Sequence, residues 1–370
     1  MDPRDTKFAE LIVNYSMEVK KGDKVVISVS DFATVDLMRE CMRLILEKGA
    51  FPYIDVMGAN LLLDRVSKGD IVTTFYKHAN NEQLKNIPSI FDEIIKWGDK
   101  FIRIVSYDNY SHTAGVDRAK IQVREKAVWT WIEKMLKKTW VLTYYPTEAM
   151  AQKSGMSTDD MRDFYFNSVF VDYKKMQKNG EKLEKMIDDA DEIRIVGEKT
   201  DLTMSVKGRL AENACGRVNL PDGEVFCAPI KNSVNGTIYF DLPNSRSGVD
   251  VIGALLEVKN GKVIKASAEQ GEEILLSALA TDAGSKYFGE LGLGLNYGID
   301  RPMRNTLFDE KIGGTIHMAL GSSYTTKRGG AVTGGNKAGI HWDMVKDMRK
   351  NGSEIYLDGK LSFKNGKWLG

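Results

Sequence analysis

Cysteine is scarce in this 370-residue chain, and Cys41, Cys215 and Cys227 are odd in number and far apart. That spacing suggests neither a disulfide framework nor a cysteine-built zinc knuckle. Charge of one sign is also lacking: 52 Lys and Arg face 51 Asp and Glu, a formal net charge of +1. Nucleic-acid binders usually carry a basic surplus, so no nucleic-acid partner is expected. No window approaches the roughly 18 consecutive apolar residues that a bilayer span requires. The opening MDPRDTKFAELIV holds no apolar run of signal-peptide length. The expectations that follow are no membrane partner and a reducing, cytoplasmic location. No phosphate-cradling glycine fingerprint follows any strand-like segment, which argues against a nucleotide site.

What is present is the balance of a globular protein, 42% hydrophobic and 28% charged. The length favours two domains over one core. In the first half, helical and strand patterns alternate. Phe8, Leu11, Ile12 and Tyr15 share a helical face, and KVVISV at Lys24–Val29 reads as a buried strand. Val35, Met38, Met42 and Ile45 form a second helical stripe that Gly49 would close. Strands are expected again at Tyr53–Val56, Phe101–Tyr107 and Trp140–Tyr145, with a Trp-rich helix (Trp129, Trp131) before the last and Pro146 ending it. This alternation predicts an α/β domain with a mainly parallel sheet over residues 1–191.

A charged helical run, roughly Asp159–Asp191, leads to a different texture. From Ile193 onward the strands are short, and Asn260-Gly261, Asp358-Gly359 and Asn365-Gly366 read as tight hairpin turns. One helix, about Glu272–Ala283, interrupts them. Residues 192–370 are therefore expected to form an α+β domain with mainly antiparallel sheet.

Histidine is rare enough for its positions to matter. His78 in KHANNEQ and His112 in YDNYSHTAG read as solvated. His317 in GGTIHMALG and His341 in AGIHWDM are instead framed by glycine and strand-forming residues. A histidine in an apolar strand is ordinarily a hydrogen-bonded core residue. His341-Trp342-Asp343, however, is an H-x-D triplet, and strand alternation puts its imidazole and carboxylate on one face. Such a pair can converge on a divalent ion at about 2.0–2.2 Å. Three glutamates lie in apolar or glycine-rich settings: Glu224 in NLPDGEVFCAP, Glu290 in YFGELGLGLN and Glu310 in LFDEKIGG. A carboxylate held there is unfavourable unless a cation or hydrogen bonds compensate it. The plainer reading, an exposed turn residue, fits Glu310 best because Asp309 and Lys311 flank it. Together the six side chains are an oxygen and nitrogen set without thiolate, suited to two Zn²⁺, Co²⁺ or Mn²⁺ ions.

In order along the chain, NLPDGEVFCAP, NGTIYFD, FGELGLGLN, FDEKIGGTIHMALGSSY and GIHWDMV resemble the thermophilic-type aminopeptidases, the aminopeptidase T family of metallopeptidases. KKGDKVVISV and EKGAFPYIDV resemble the opening of that family, so the similarity spans essentially the whole chain. The resemblance implies a dinuclear metal centre held by Glu224, Glu290, Glu310, His317, His341 and Asp343. It implies that Tyr324 points into the site, although in SSYTTKRGG that residue reads equally as a surface loop tyrosine. It implies that Glu290 bridges the metals or acts near the attacking water. The interval between Glu290 and His317 is spaced differently from better-known members, which leaves Glu310 open as a ligand or a surface residue. The family also implies a homodimer.

The function expected is release of N-terminal amino acids from short peptides by a water activated by two metals, with Glu290 moving the proton and Tyr324 supporting the oxyanion. Two rivals stand beside it. A branch resembling 2,5-dihydroxypyridine dioxygenase uses one Fe(II), for which His317, His341 and Asp343 would suffice. A non-catalytic binding protein stabilised by its metals is the other.

Overall fold

The computed structural model describes residues 2–30, 32–55, 69–111, 113–246, 248–324 and 332–369. His112 and Val56 lie outside those residues, while His78 is exposed at the end of the helix Gly69–His78. The chain divides into two compact units, Met1–Phe170 with Gly216–Leu220, and Val171–Cys215 with Pro221–Gly370.

The first unit is built on strands β1 (Lys24–Val29), β2 (Phe51–Asp55), β3 (Lys100–Val105) and β4 (Thr139–Tyr144). They pair in the order β2-β1-β3-β4, all parallel, as strand–helix alternation requires. Val26 and Phe101 face Phe91 and Ile95 of the helix Ile90–Trp97 and Trp131 and Met135 of the helix Arg118–Met135, so one sheet face is closed by apolar side chains. Gly49 follows the helix Val35–Glu47 at φ +70°, a left-handed stop suited to glycine. A fifth strand, Asn219–Leu220 (β8), joins beside β4 in parallel. The change of texture near residue 192 gives no sign of this return, because a two-residue strand carries no periodicity.

In the second unit the remaining strands are β5 (Glu192–Gly197), β6 (Thr200–Ser205), β7 (Glu212–Ala214), β9 (Glu224–Cys227), β10 (Asn235–Phe240), β11 (Asn244–Arg246), β12 (Val249–Val251), β13 (Ala254–Lys259), β14 (Lys262–Ser267), β15 (Phe288–Gly294), β16 (Thr315–Gly321), β17 (His341–Asp347), β18 (Glu354–Leu357), β19 (Lys360–Lys364) and β20 (Lys367–Trp368). An eight-stranded antiparallel sheet runs β14-β13-β10-β6-β5-β18-β19-β20, and a five-stranded one runs β17-β16-β15-β9-β7. The helix Tyr173–Asp188 belongs to this unit and adds Leu183 and Ile187 to its core.

One apolar core joins the two sheets. The five-stranded sheet supplies Val225, Cys227, Leu291, Leu293, Ile316, Met318, Leu320, Trp342 and Met344 to it. These are alternate positions on four strands, so the intervening side chains project from the opposite face. That opposite face carries Glu224, Glu290, His317, His341 and Asp343. The core thus fixes, by pleat alone, which residues meet on the other side.

The three turn dipeptides behave as their sequence requires. Asn260, Asp358 and Asn365 have φ of 50°, 48° and 47°, and the glycines after them are also positive, the geometry of two-residue hairpins. At Gly261 the φ is +79° and an added Cβ would lie 1.8 Å from the Lys231 carbonyl oxygen. Gly261→Ala is therefore expected to lower stability by at least about 2 kcal/mol in chemical denaturation. An unchanged midpoint would show that the turn can be rebuilt without strain.

Candidate metal centre

Four neighbouring strands each bring polar side chains to the outer face of the five-stranded sheet. Glu224 comes from β9, Glu290 from β15, His317 from β16, and His341 with Asp343 from β17. Antiparallel register sets Gly292 opposite both His317 and Phe226, and Asp343 opposite Ala319. The space above β15 exists because its outward positions are small. A Cβ on Gly292 would sit 2.0 Å from His317 Cε1, so the imidazole lies directly over that glycine. At Gly294 an added Cβ would meet the Ile312 carbonyl oxygen at 2.0 Å. The turn bearing Glu310 therefore crosses close above the strand. In FGELGLG, leucine fills the core and glycine admits the site.

Glu310 closes the short helix Thr306–Asp309, and only 12% of its side chain is exposed. Its neighbours are not solvated charges. Asp309 is buried and accepts hydrogen bonds from the Met303 and Asn305 amides, and Lys311 is 1% exposed. The exposed-turn reading of Glu310 is thereby overturned, since the charges that suggested a surface point inward.

Both imidazoles are oriented from behind. His317 Nδ1–H donates to the Glu310 carbonyl at 3.1 Å and His341 Nδ1–H to the Ser322 carbonyl at 2.7 Å. Each Nε2 is left facing the carboxylates, an arrangement that fixes the orientation of both rings. His317 Nε2 lies 3.2 Å from Glu290 Oε1 and 3.4 Å from Glu224 Oε2. His341 Nε2 lies 3.2 Å from Asp343 Oδ1 and 3.8 Å from Glu290 Oε2. Glu290 thus faces both rings, one oxygen to each. His341, with 37% of its side chain exposed, marks the open side of the cluster.

The electrostatics reflect crowding. Burial pushes the Glu224 and Glu310 carboxyls up, Glu310 to about 8, against the pull of the Lys311 ammonium. Burial alone would lower His317, yet its hydrogen bond to Glu290 and the charges of Glu224 and Asp343 outweigh it and hold the ring at about 9. The Asp343 carboxylate raises His341 against the effect of burial. In return, the His341 charge holds Asp343 well below the usual carboxylate range although burial would raise it. Lys311 stays charged, because Glu224 and Glu310 more than offset its desolvation.

These residues fit a divalent metal. Three overlapping groups, Glu224 with Glu290 and His317, Glu290 with His341 and Asp343, and Glu310 with His317 and Asp343, each bring three donor atoms within 4.8 Å of one another. Glu224 Oε2 and Asp343 Oδ1 are buried and lack a well-aligned hydrogen bond, though each has an imidazole nitrogen nearby. Close oxygen and nitrogen donors, two of them buried without an aligned hydrogen bond, are the surroundings a divalent ion requires. The set is oxygen and nitrogen only, which suits zinc, cobalt or manganese.

Tyr324 is half-buried on the same face, its ring edge-on to Phe226 at 4.7 Å. Burial and the nearby Glu290 charge raise its hydroxyl. Lys311 is the site residue that the pattern of the sequence did not single out. The only available signal was its place beside Glu310 in a segment otherwise made of glycine and apolar residues.

A family model for thermophilic metalloproteases (M29) matches residues 1–368. Aminopeptidase AmpS of Bacillus subtilis is 27% identical across 98% of this chain and 97% of its own length. Aminopeptidase T of Thermus aquaticus is 30% identical over 45% of this chain and 43% of its own. Among solved structures, wild-type AmpT from Thermus thermophilus superposes with a TM-score of 0.82 at 21% identity, covering 99% of both chains. A 2,5-dihydroxypyridine dioxygenase from Pseudomonas putida shares the fold at a TM-score of 0.60 and 12% identity, covering 100% of this chain and 98% of its own.

Two outcomes follow from the geometry. Gly292→Ala should displace the His317 ring and weaken by at least about tenfold the zinc-binding step that this ring serves in calorimetric titration, with circular dichroism unchanged. An unaltered step would mean that the ring is not held where it lies. In the metal-free protein the neighbouring carboxylates favour the protonated form of both imidazoles, His317 at about 9, so an ion must displace protons to bind. Affinity should therefore rise with pH from 7 through about 9, as His317 gives up its proton. Calorimetry in buffers of different ionisation enthalpy should register proton release at pH 7. Binding without proton release would contradict protonated imidazoles in the metal-free site.

Proposed function

The chain belongs to the thermophilic metalloprotease (M29) family, and from that premise we propose that it is an aminopeptidase releasing N-terminal residues from short peptides. One observation carries the reading: in a chain of this family, four carboxylates and two imidazoles from five separate segments meet on one face of one sheet. Glu224, Glu290 and His317 would hold one divalent ion, and Glu290, His341 and Asp343 a second, with Glu310 completing the set. Bound there, the ions would polarise a scissile carbonyl and make water nucleophilic near neutral pH.

The remaining roles belong to the chain. Glu290, placed between the two imidazoles, would bridge the ions or, on an oxygen that no ion engages, take a proton from the attacking water and pass it to the leaving amine. Tyr324 O–H would donate a hydrogen bond to the developing oxyanion, and its raised pKa keeps the hydroxyl protonated as that donor. His317 and His341 are kept in one tautomer by the Glu310 and Ser322 carbonyls. His341 lies where the cluster is open, the side from which a peptide end would approach. A homodimer belongs to the same reading, as does a cytoplasmic setting, which agrees with three buried free cysteines. Among the described residues no helix is long and apolar enough to cross a membrane.

The iron-dioxygenase rival needs only His317, His341 and Asp343. Lys311 supplies a counter-charge to Glu224 and Glu310, so the burial of those glutamates does not by itself require a second ion. What favours the hydrolase is the family match over nearly the whole chain together with the 97% coverage of AmpS. Hydrolysis of Leu-p-nitroanilide should disappear on chelation and return with zinc, cobalt or manganese. Oxygen consumption dependent on iron, without peptidase activity, would reverse the assignment. Glu290→Gln, where metal content is retained, should reduce turnover by at least about 100-fold. Near-normal turnover would remove Glu290 from the chemistry.

A further inference from the structure

Lys311 is an ammonium sealed inside a cluster that also has the donor atoms of a metal centre. Its side chain is 2% exposed. Nζ donates to Glu224 Oε1 in a short contact and to Glu310 Oε1 at 2.7 Å, with Asp222 Oδ1 3.9 Å away. The contacts are one-sided. Glu224 belongs to the group with Glu290 and His317, and Glu310 to the group with His317 and Asp343. The third group, Glu290 with His341 and Asp343, contains no residue that Lys311 touches.

An ion held by Glu224 Oε2 would share its carboxylate with a fixed positive charge on Oε1. Like charges separated by one carboxylate repel strongly in a buried setting, where water cannot screen them. An ion held by Glu290, His341 and Asp343 would share no ligand with that charge, which reaches Asp343 only through space, and would stand at the open side. Resting on the metalloprotease reading above, we infer that Lys311 makes the two metal positions unequal. The position at Glu290, His341 and Asp343 fills first and tightly, whereas the position at Glu224, Glu290 and His317 fills last and exchanges readily. Lys311 is thus a positioning residue for the metals. It keeps Glu224 and Glu310 paired while the second position is empty, and it weakens the ion that displaces none of its bonds.

The test is calorimetric titration of the chelator-treated full chain with zinc alone. The wild-type protein should show two binding steps at least about tenfold apart in affinity. Lys311→Met should tighten the weaker step by at least about tenfold and leave the stronger one in place. Lys311→Arg, which retains the charge, should preserve the separation. A wild-type protein that takes one ion while K311M takes two is the limit of the same effect and supports it. Two equal steps in the wild type, or a weaker second step in K311M, would overturn the inference. Should K311M fail to fold without metal, as circular dichroism would reveal, the wild-type and K311R titrations still decide the point. Absence of any zinc binding in the wild type would sink the metalloprotease reading itself, a failure distinct from unequal or equal steps.

Discussion

Four carboxylates crowded on the outer face of one sheet must be compensated by positive charge, and the rest of the second unit is arranged around that constraint. Glu224, Glu290 and Asp343 are each less than a tenth exposed, and Glu310 little more. Unpaired, such a group would repel itself apart or take up protons. Within the chain the compensation comes from Lys311 and from two imidazoles that the carboxylates hold in protonated form. Each of these cations is oriented by a hydrogen bond or by a neighbouring strand, so the cluster keeps its shape before any ion enters. Preorganisation of that kind is what a hydrolytic metal centre requires, because donor atoms then need little rearrangement.

The fold supplies the constraint cheaply. A sheet whose alternate residues fill an apolar core presents the other alternates to one place, and four strands side by side deliver five of the six donor side chains. The sixth, Glu310, comes from a turn that crosses over β15 only because Gly294 has no side chain. Sequence distance is irrelevant to such convergence: Glu224 and Asp343 are far apart in the chain, yet both stand on the same face of the same sheet.

Much of this was legible in the sequence because alternation leaves a mark. ELGLG, TIHMALG and HWDM each show core residues at one parity and small or polar residues at the other, which marks Glu290, His317, His341 and Asp343 as lying on the face away from the core. The asparagine–glycine and aspartate–glycine turns were equally plain, since few residues tolerate their positive φ. The parallel sheet of the first unit followed from strand–helix alternation. Lys311 was not legible, because a charged residue beside two other charged residues carries the pattern of a solvated turn. The approach of that turn to Gly294 of β15 buries it. The short strand Asn219–Leu220 was hidden for a different reason: two residues are too few to show a period. Which oxygen of Glu224 faces Lys311 and which faces His317 is a matter of tertiary contact that no spacing encodes.

Anomalous diffraction from zinc-soaked crystals tests most directly whether the outer face of the five-stranded sheet is a metal centre. The expected result is density within about 2.0–2.2 Å of His341 Nε2, with weaker density beside His317 Nε2. Crystals that bind zinc elsewhere, or that leave both imidazoles without an anomalous peak at high zinc concentration, would contradict it.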